Sequence, residues 1–185
     1  MAAVDIRWET DQGRFNYRVA GVCVERGHVF LGQLGGADHW HIPGGLCQLT
    51  EPAAATLARE MREELDEAVR VGRLLWITEN FFDLGGRRWH EVGLYFRMAL
   101  PAASAYRDQT RTFVRPEPAG ASHLVVRWFP LAELERVRLF PAFLRTALHR
   151  LPRTPRHVVA IQQGEAGPRE RAPWPRDGEP VGERA

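Results

Sequence analysis

The stretch GLCQLTEPAAATLAREMREELDE, Gly45 to Glu67, decides how the rest of the chain is read. Its last nine residues, Arg59 to Glu67, hold five carboxylates (Glu60, Glu63, Glu64, Asp66, Glu67) against two arginines, Arg59 and Arg62. If this segment is helical, Glu60 lies one turn from Glu63 and Glu64, and Glu63 one turn from Glu67, spacings at which like charges oppose helix formation. Solvent with the nearby arginines can offset that repulsion, and so can a bound divalent cation; these nine residues alone favour solvent, since acidic helix faces are common. A helix is expected all the same. Thr50 or Glu51 can cap it, Pro52 fits the first turn, where its missing N–H costs little, and three alanines follow. At about 100° per residue, Ala54, Leu57, Met61, Leu65 and Ala68 form one stripe, and Glu60, Glu63, Glu64 and Glu67 cluster on the adjoining one. The apolar stripe is expected to be buried, with the carboxylates along its edge.

A chain of 185 residues suffices for one domain with a core, plus tails. Its hydrophobic fraction of 44% is ordinary, and no apolar run approaches the about 18 residues of a membrane span. The N-terminus MAAVDIRWETDQGR alternates polar and apolar residues and carries acids, unlike a signal or transit peptide, so a cytoplasmic location is the default expectation. Cys23 and Cys47 are too few for a disulfide framework and are read as structural. A metal cluster of His39, His41 and Cys47 matches no usual zinc spacing and is set aside. All 25 basic residues are arginine. Without lysine there is neither a P-loop nor a Schiff base, so any phosphate must be gripped by arginine, backbone N–H groups or metal. The bases are scattered among 23 acids, and no stripe suited to a nucleic acid polymer precedes the tail.

Around the helix the alternation of apolar residues predicts strands. Arg18 to Val24 and His28 to Gln33 read as a hairpin near the sheet centre, turning at Gly27. WHIPGG reads as a short strand ending in Gly44 and Gly45, followed by a second short stretch, LCQL. Leu74 to Phe82 and Trp89 to Leu100 flank a Gly85-Gly86 turn. Pro101 to Ser122 reads as a loop, His123 to Pro130 as a strand, helices begin at Leu131 and Pro141, and HVVAI is a last edge strand. Residues 163–185 have almost no core-forming side chains and are expected to be disordered.

Gly45, five residues, Glu51, seven residues, then Arg59-Glu60-Met61-Arg62-Glu63-Glu64 resembles the Nudix box, G-x5-E-x7-R-E-U-x-E-E-x-G-U with U aliphatic. The seven leading positions, Gly45, Glu51, Arg59, Glu60, Met61, Glu63 and Glu64, all match. The last two depart: Asp66 replaces the glycine and Glu67 the aliphatic residue. Aspartate enters the left-handed conformation less readily than glycine, so the helix is expected to run on towards Val69, with Ala68 or Val69 in the aliphatic role. With the PGG before the box and the strands on both sides, the resemblance covers residues 15–162, leaving 1–14 as an N-terminal extension.

The resemblance implies an α/β class, an α/β/α sandwich with a mixed β-sheet, and Mg²⁺- or Mn²⁺-dependent hydrolysis of a nucleoside diphosphate linked to another group. It makes Glu60 and Glu64 the foremost metal ligands, Glu63 a further ligand or base, and the Gly44 or Gly45 carbonyl a completing ligand. Glu51 and Arg59 match a salt bridge that orients the loop against the helix. The implied partner is a small nucleoside diphosphate derivative, with no nucleic acid polymer and no membrane; a homodimer is left open. Outside the box, Arg18 is a candidate phosphate contact and Glu91 a candidate base or extra ligand. Phe81, with Phe82 and Trp89, is a candidate for stacking on a base, against the ordinary reading of such aromatics as core or hairpin pairs. Two other readings stand beside hydrolysis: a nucleotide or ADP-ribose binding module that has lost the chemistry, and a prenyl diphosphate isomerase, for which no cysteine and glutamate pair is evident.

Overall fold

The computed structural model describes residues 3–116 and 123–162; the tail expected to be disordered lies outside them. Numbered in chain order, the first sheet runs β1 (Arg7–Thr10), β2 (Gly13–Val22), β8 (Arg87–Ala99), β7 (Arg70–Leu84) and β12 (Arg156–Gln162), and β6 (Gly44–Leu46) also pairs with β2. The β2–β8 and β7–β12 pairs are parallel and the others antiparallel, so the sheet is mixed. The second sheet runs β11 (Leu139–Phe140), β5 (Trp40–His41), β4 (His28–Leu34), β10 (His123–Pro130) and β9 (Thr112–Pro116), with β3 (Val24–Glu25) on β4. Helix α1 (Ala53–Leu65) carries the box, and the short α2 (Leu144–Ala147) lies in the C-terminal part.

The core divides by strand alternation. Val19, Phe30, Met98 and Trp128 pack with Leu57, Met61 and Leu65 of α1. Their neighbours Ala20 and Leu31 face the other way and join Ile42, Leu75, Trp76 and Tyr95 under Leu144 and Leu148. Strands buried on both faces read as continuous apolar runs, as AGVCV and VFL do. The expected α/β/α sandwich with mixed sheets is the observed fold. No helix among the described residues is long and apolar enough to cross a membrane.

Several local expectations are corrected. The Arg18 to Gln33 hairpin does not form at full length: β2 is held by β8 from Arg14↔Trp89 to Val22↔Arg97, while β4 is taken by β10 in the other sheet. Only Val24 and Glu25 pair back on His28 and Val29. The left-handed Arg26 and Gly27, with φ of 48° and 74°, form the tight turn between them. WHIPGG likewise splits, its tryptophan end in one sheet and its glycines in the other, with the Gly21 N–H donating to the Pro43 carbonyl (2.8 Å) at the crossing. Pro101 to Ser122 is not all loop: Ala105–Arg107 is a 3-10 turn and β9 pairs with β10, anchored by Phe113 against Tyr106. The helix expected at Leu131 is a 3-10 helix, Leu131–Arg136, and the one expected from Pro141 starts at Leu144.

On α1, Leu57, Met61 and Leu65 are buried as expected, but Ala54 is exposed and Thr56 is buried instead, and Ala68, past the helix end, is exposed too. Neither Thr50 nor Glu51 caps the helix; Pro52 occupies that position with no side-chain cap. Nor does the helix run on towards Val69. It stops at Leu65, and Asp66 adopts the left-handed conformation (φ 58°, ψ 36°). The Asp66 N–H donates to the Arg62 carbonyl (3.0 Å) and the Glu67 N–H to that of Met61 (3.2 Å). What overrides the reluctance of aspartate is tertiary: Glu67 accepts a 2.5 Å hydrogen bond from Ser104, whose oxygen also accepts from the Tyr106 N–H. Val69 then packs on the α1 cluster and takes the aliphatic role.

Asp66→Gly removes the Cβ from a left-handed position, so urea unfolding should show a gain of about 0.5–1 kcal/mol; a loss would mean that the aspartate side chain makes a stabilising contact. Burial pushes the Cys23 thiol up to about 12 and raises that of Cys47 as well. Both should resist a thiol-reactive dye at pH 8 in the native protein and react at once in urea; fast native labelling would contradict their core placement.

Candidate active site

The site is assembled where β6 lies between β2 and α1. Gly44 has φ +150°, and a Cβ there would sit 2.1 Å from the Val19 carbonyl oxygen. A Cβ on Gly45 would sit 2.1 Å from the Glu60 carboxyl carbon. The paired glycines therefore let one strand touch the sheet on one side and a box carboxylate on the other.

Arg59 joins these parts. Its Nε and Nη2 donate to the two oxygens of Glu51 (3.0 and 3.1 Å), and Nη2 also donates to the Leu46 carbonyl (3.1 Å). Its Nη1 donates to Glu60 Oε1 (2.8 Å) and Glu63 Oε2 (2.9 Å). That is one acceptor for each of the five N–H groups of a guanidinium. Thr56, buried in the helix, donates its hydroxyl to Glu51 Oε2 (2.8 Å) and fixes the far end of the pair. The hydrogen bonds from Arg59 hold the Glu51 carboxyl below the usual carboxylate range, and the same bonds push the guanidinium pKa up. Glu60, with its side chain 15% exposed, is raised by burial first; the Glu63 charge acts in the same direction, while Arg59 and Arg18 oppose it. Glu63 is half exposed and Glu64 partly buried on the same turn.

A second arm comes from the sheet. Along β2, Arg14, Asn16 and Arg18 alternate with Phe15, Tyr17 and Val19, which puts the polar set on one face. Register places Asn16 and Asn80 on either side of Glu91, and Gln162 donates to the Asn80 amide oxygen (2.9 Å). Glu91 is only 8% exposed. Burial raises its pKa, opposed by Arg18 and by hydrogen bonds to Asn80 and Asn16. Arg18 donates through Nη2 to the Ile42 carbonyl (3.2 Å), and its charge acts on Glu60, Glu91, Tyr95 and His41 alike. His41 is pushed down to about 3 by burial, with the Arg18 and His39 charges adding, so it is a neutral ring.

The candidates Glu51, Arg59, Glu60, Glu63, Glu64, Gly44 and Arg18 thus lie around one junction, and the field of Arg18 reaches both Glu60 and Glu91. Phe81 stands elsewhere: it stacks on His90 (4.4 Å), one register position from Glu91 and so on the opposite face of β7–β8. Asn16, Asn80 and Tyr95 were not singled out from the sequence, although the polar-apolar alternation in RFNYRV was a signal for the first.

Three helix carboxylates offer hard oxygen donors, the chemistry that Mg²⁺ or Mn²⁺ takes. As the side chains stand, no three His, Cys, Asp or Glu among the described residues converge as a ready cation site, and His39, His41 and Cys47 do not form one. Arg59 holds Glu60 and Glu63, so a cation there has to compete with its Nη1.

A family model described as NUDIX domain matches residues 15–151. Among solved structures, the chain is similar to a NUDIX hydrolase from Nitrosomonas europaea, at 16% identity over 83% of this chain and 82% of that one, with a TM-score of 0.51. It is also similar to the mutator MutT protein from Bacillus halodurans, at 16% identity over 77% of this chain and 89% of that one, with a TM-score of 0.50. At such identities the likeness shows the fold alone. No match was found among curated proteins. The domain match spans well over half of the chain and contains the whole box from Gly45 to Glu67, and on that ground the chain belongs to the Nudix family.

Proposed function

We propose that the protein is a metal-dependent pyrophosphohydrolase that cleaves the diphosphate linkage of a small nucleoside diphosphate derivative in the cytoplasm. The observation that carries this reading is the junction itself: three glutamates on one helical turn, pinned by the Glu51–Arg59 pair against a glycine that leaves room for Glu60. In this reading Glu60 and Glu64 hold Mg²⁺ or Mn²⁺, with Glu63 and the Gly44 carbonyl as further ligands. A bound cation would supply positive charge to the diphosphate and a more acidic water as nucleophile.

The chain's own groups do the rest. Glu51 and Arg59 orient the helix and take no proton. Arg18, tethered at Ile42, offers guanidinium N–H groups to phosphate oxygens, a task that no lysine is present to perform. Glu91 is favoured over Glu63 as proton acceptor because burial raises its proton affinity towards the working pH, whereas Glu63 is half exposed. One observation favours the second reading, a binding module without chemistry: Arg59 already occupies Glu60 and Glu63. Isomerisation is disfavoured, since both cysteines are buried in the core.

Glu64→Gln separates the two. It keeps the shape and removes a ligand charge, so nucleotide release from the best of a panel of ADP-ribose, dinucleotide polyphosphates, nucleotide sugars and oxidised triphosphates should fall about a thousandfold, or ~4 kcal/mol of barrier. Melting curves of both metal-free proteins verify that the variant is folded. Unchanged turnover in a folded variant would refute the catalytic role of Glu64, and no turnover by the wild type would leave the binding module.

A further inference from the structure

At the outer end of the first sheet lies a cavity of about 460 Å³ lined by Arg7, Glu9, Arg14, Asn16, Leu46 and Trp89, among others. Register ties most of these to a single face. Arg7 pairs with Asn16, Glu9 with Arg14 and Arg14 with Trp89, and strand alternation continues that face to Arg18 and Glu91. Leu46 pairs with Arg18, and its carbonyl accepts from Arg59. One wall of the cavity is therefore Leu46, on the strand at which the box begins, and the same face of β2 leads from Arg14 and Asn16 to Arg18 at the candidate active site.

The lining has the chemistry of a flat, polar heterocycle's seat. Trp89 is held in orientation by its indole N–H, which donates to the Leu84 carbonyl (3.3 Å), and by parallel stacking on Phe82 (5.7 Å between centroids, 9° between planes). The Arg14 guanidinium lies 5.1 Å from the Trp89 ring centroid and is paired with Glu9 (2.9 Å), which Arg87 also engages. An aromatic ring, a guanidinium plane, a carboxylate and an amide in a cavity of this size offer stacking together with hydrogen bonds to ring edges. Arg7, Trp8, Glu9 and Arg14 precede residue 15, where the family match begins, so four of the seven lining residues come from the chain's own N-terminal hairpin.

We propose that this cavity is the nucleobase subsite, with the base on the Arg14 guanidinium that Trp89 backs, its edge read by Glu9 and Asn16, and its phosphates directed past Leu46 towards Arg18 and the box. The assignment rests on the nucleotide hydrolase reading above. It is tested by calorimetric titration of AMP, GMP, CMP and UMP into the full chain in EDTA, where binding does not depend on metal or turnover. At least one nucleotide binds the wild type, Trp89→Leu weakens it about tenfold or more, Trp89→Phe restores most of the loss, and Glu9→Gln reorders the preference among the four bases. Melting curves verify that each variant is folded, and Arg14→Gln gives the same weakening if Trp89→Leu does not fold. A wild type that binds none of the four, or a folded Trp89→Leu that binds as tightly as the wild type, overturns the subsite even if the enzyme hydrolyses diphosphates. Binding lost with Trp89 in a protein that hydrolyses nothing in the substrate panel overturns the hydrolase reading and leaves the subsite standing.

Discussion

The structure turns on one guanidinium. Arg59 lies on α1, yet its N–H groups reach the loop before the helix through Glu51, the adjacent strand through Leu46, and two of the carboxylates on its own helix. The planar, always charged fork of arginine can serve that many acceptors at fixed angles, and a lysine ammonium cannot. Without it, Glu60 and Glu63 would lose the cation that offsets their mutual repulsion, and the bond from α1 to the Leu46 carbonyl of β6 would be gone. The same contact explains why Gly45 must lack a side chain, since Glu60 is drawn into the space that a Cβ would need.

That arrangement was largely legible because it is local in sequence. Gly45, Glu51, Arg59 and the glutamates fall within twenty residues, and helical periodicity alone puts the acids on one face and Leu57, Met61 and Leu65 on the next. The hairpin of β7 and β8 was legible for a similar reason, through its glycine turn. What could not be read was partnership over distance. Alternation shows that β2 has a polar and an apolar face but does not say that it leaves β4 for β8. The end of α1 failed for the same reason: the propensity of Asp66 pointed one way, and the hydrogen bond from Ser104 to Glu67, across 37 residues, decided the other. The depth of Glu91 depends on β2, β7 and β8 arriving together, which no window of sequence reports.

The two arms differ physically. The helix arm is rich in carboxylates and partly open to water, suited to a hard cation. The sheet arm sets a neutral His41, a buried Glu91 and Arg18 among amides, where low exposure strengthens each charge's effect on its neighbours. Arg18 is common to both, since its charge lowers the proton affinity of Glu60 and of Glu91. With a cation held on the helix arm, a diphosphate lying between the arms would meet positive charge from both sides, and that is the physical content of proposing hydrolysis at this junction.

The central claim is that the box glutamates hold a divalent cation in place of part of the Arg59 clasp. Anomalous diffraction from crystals soaked in Mn²⁺ tests it directly. The account predicts a manganese peak within about 2.0–2.3 Å of carboxylate oxygens from Glu60 and Glu64, with the Arg59 Nη1 contacts to Glu60 and Glu63 loosened and its bidentate hold on Glu51 intact. A metal-loaded structure in which both glutamates turn to bulk solvent, or in which the manganese sits away from α1, would contradict it.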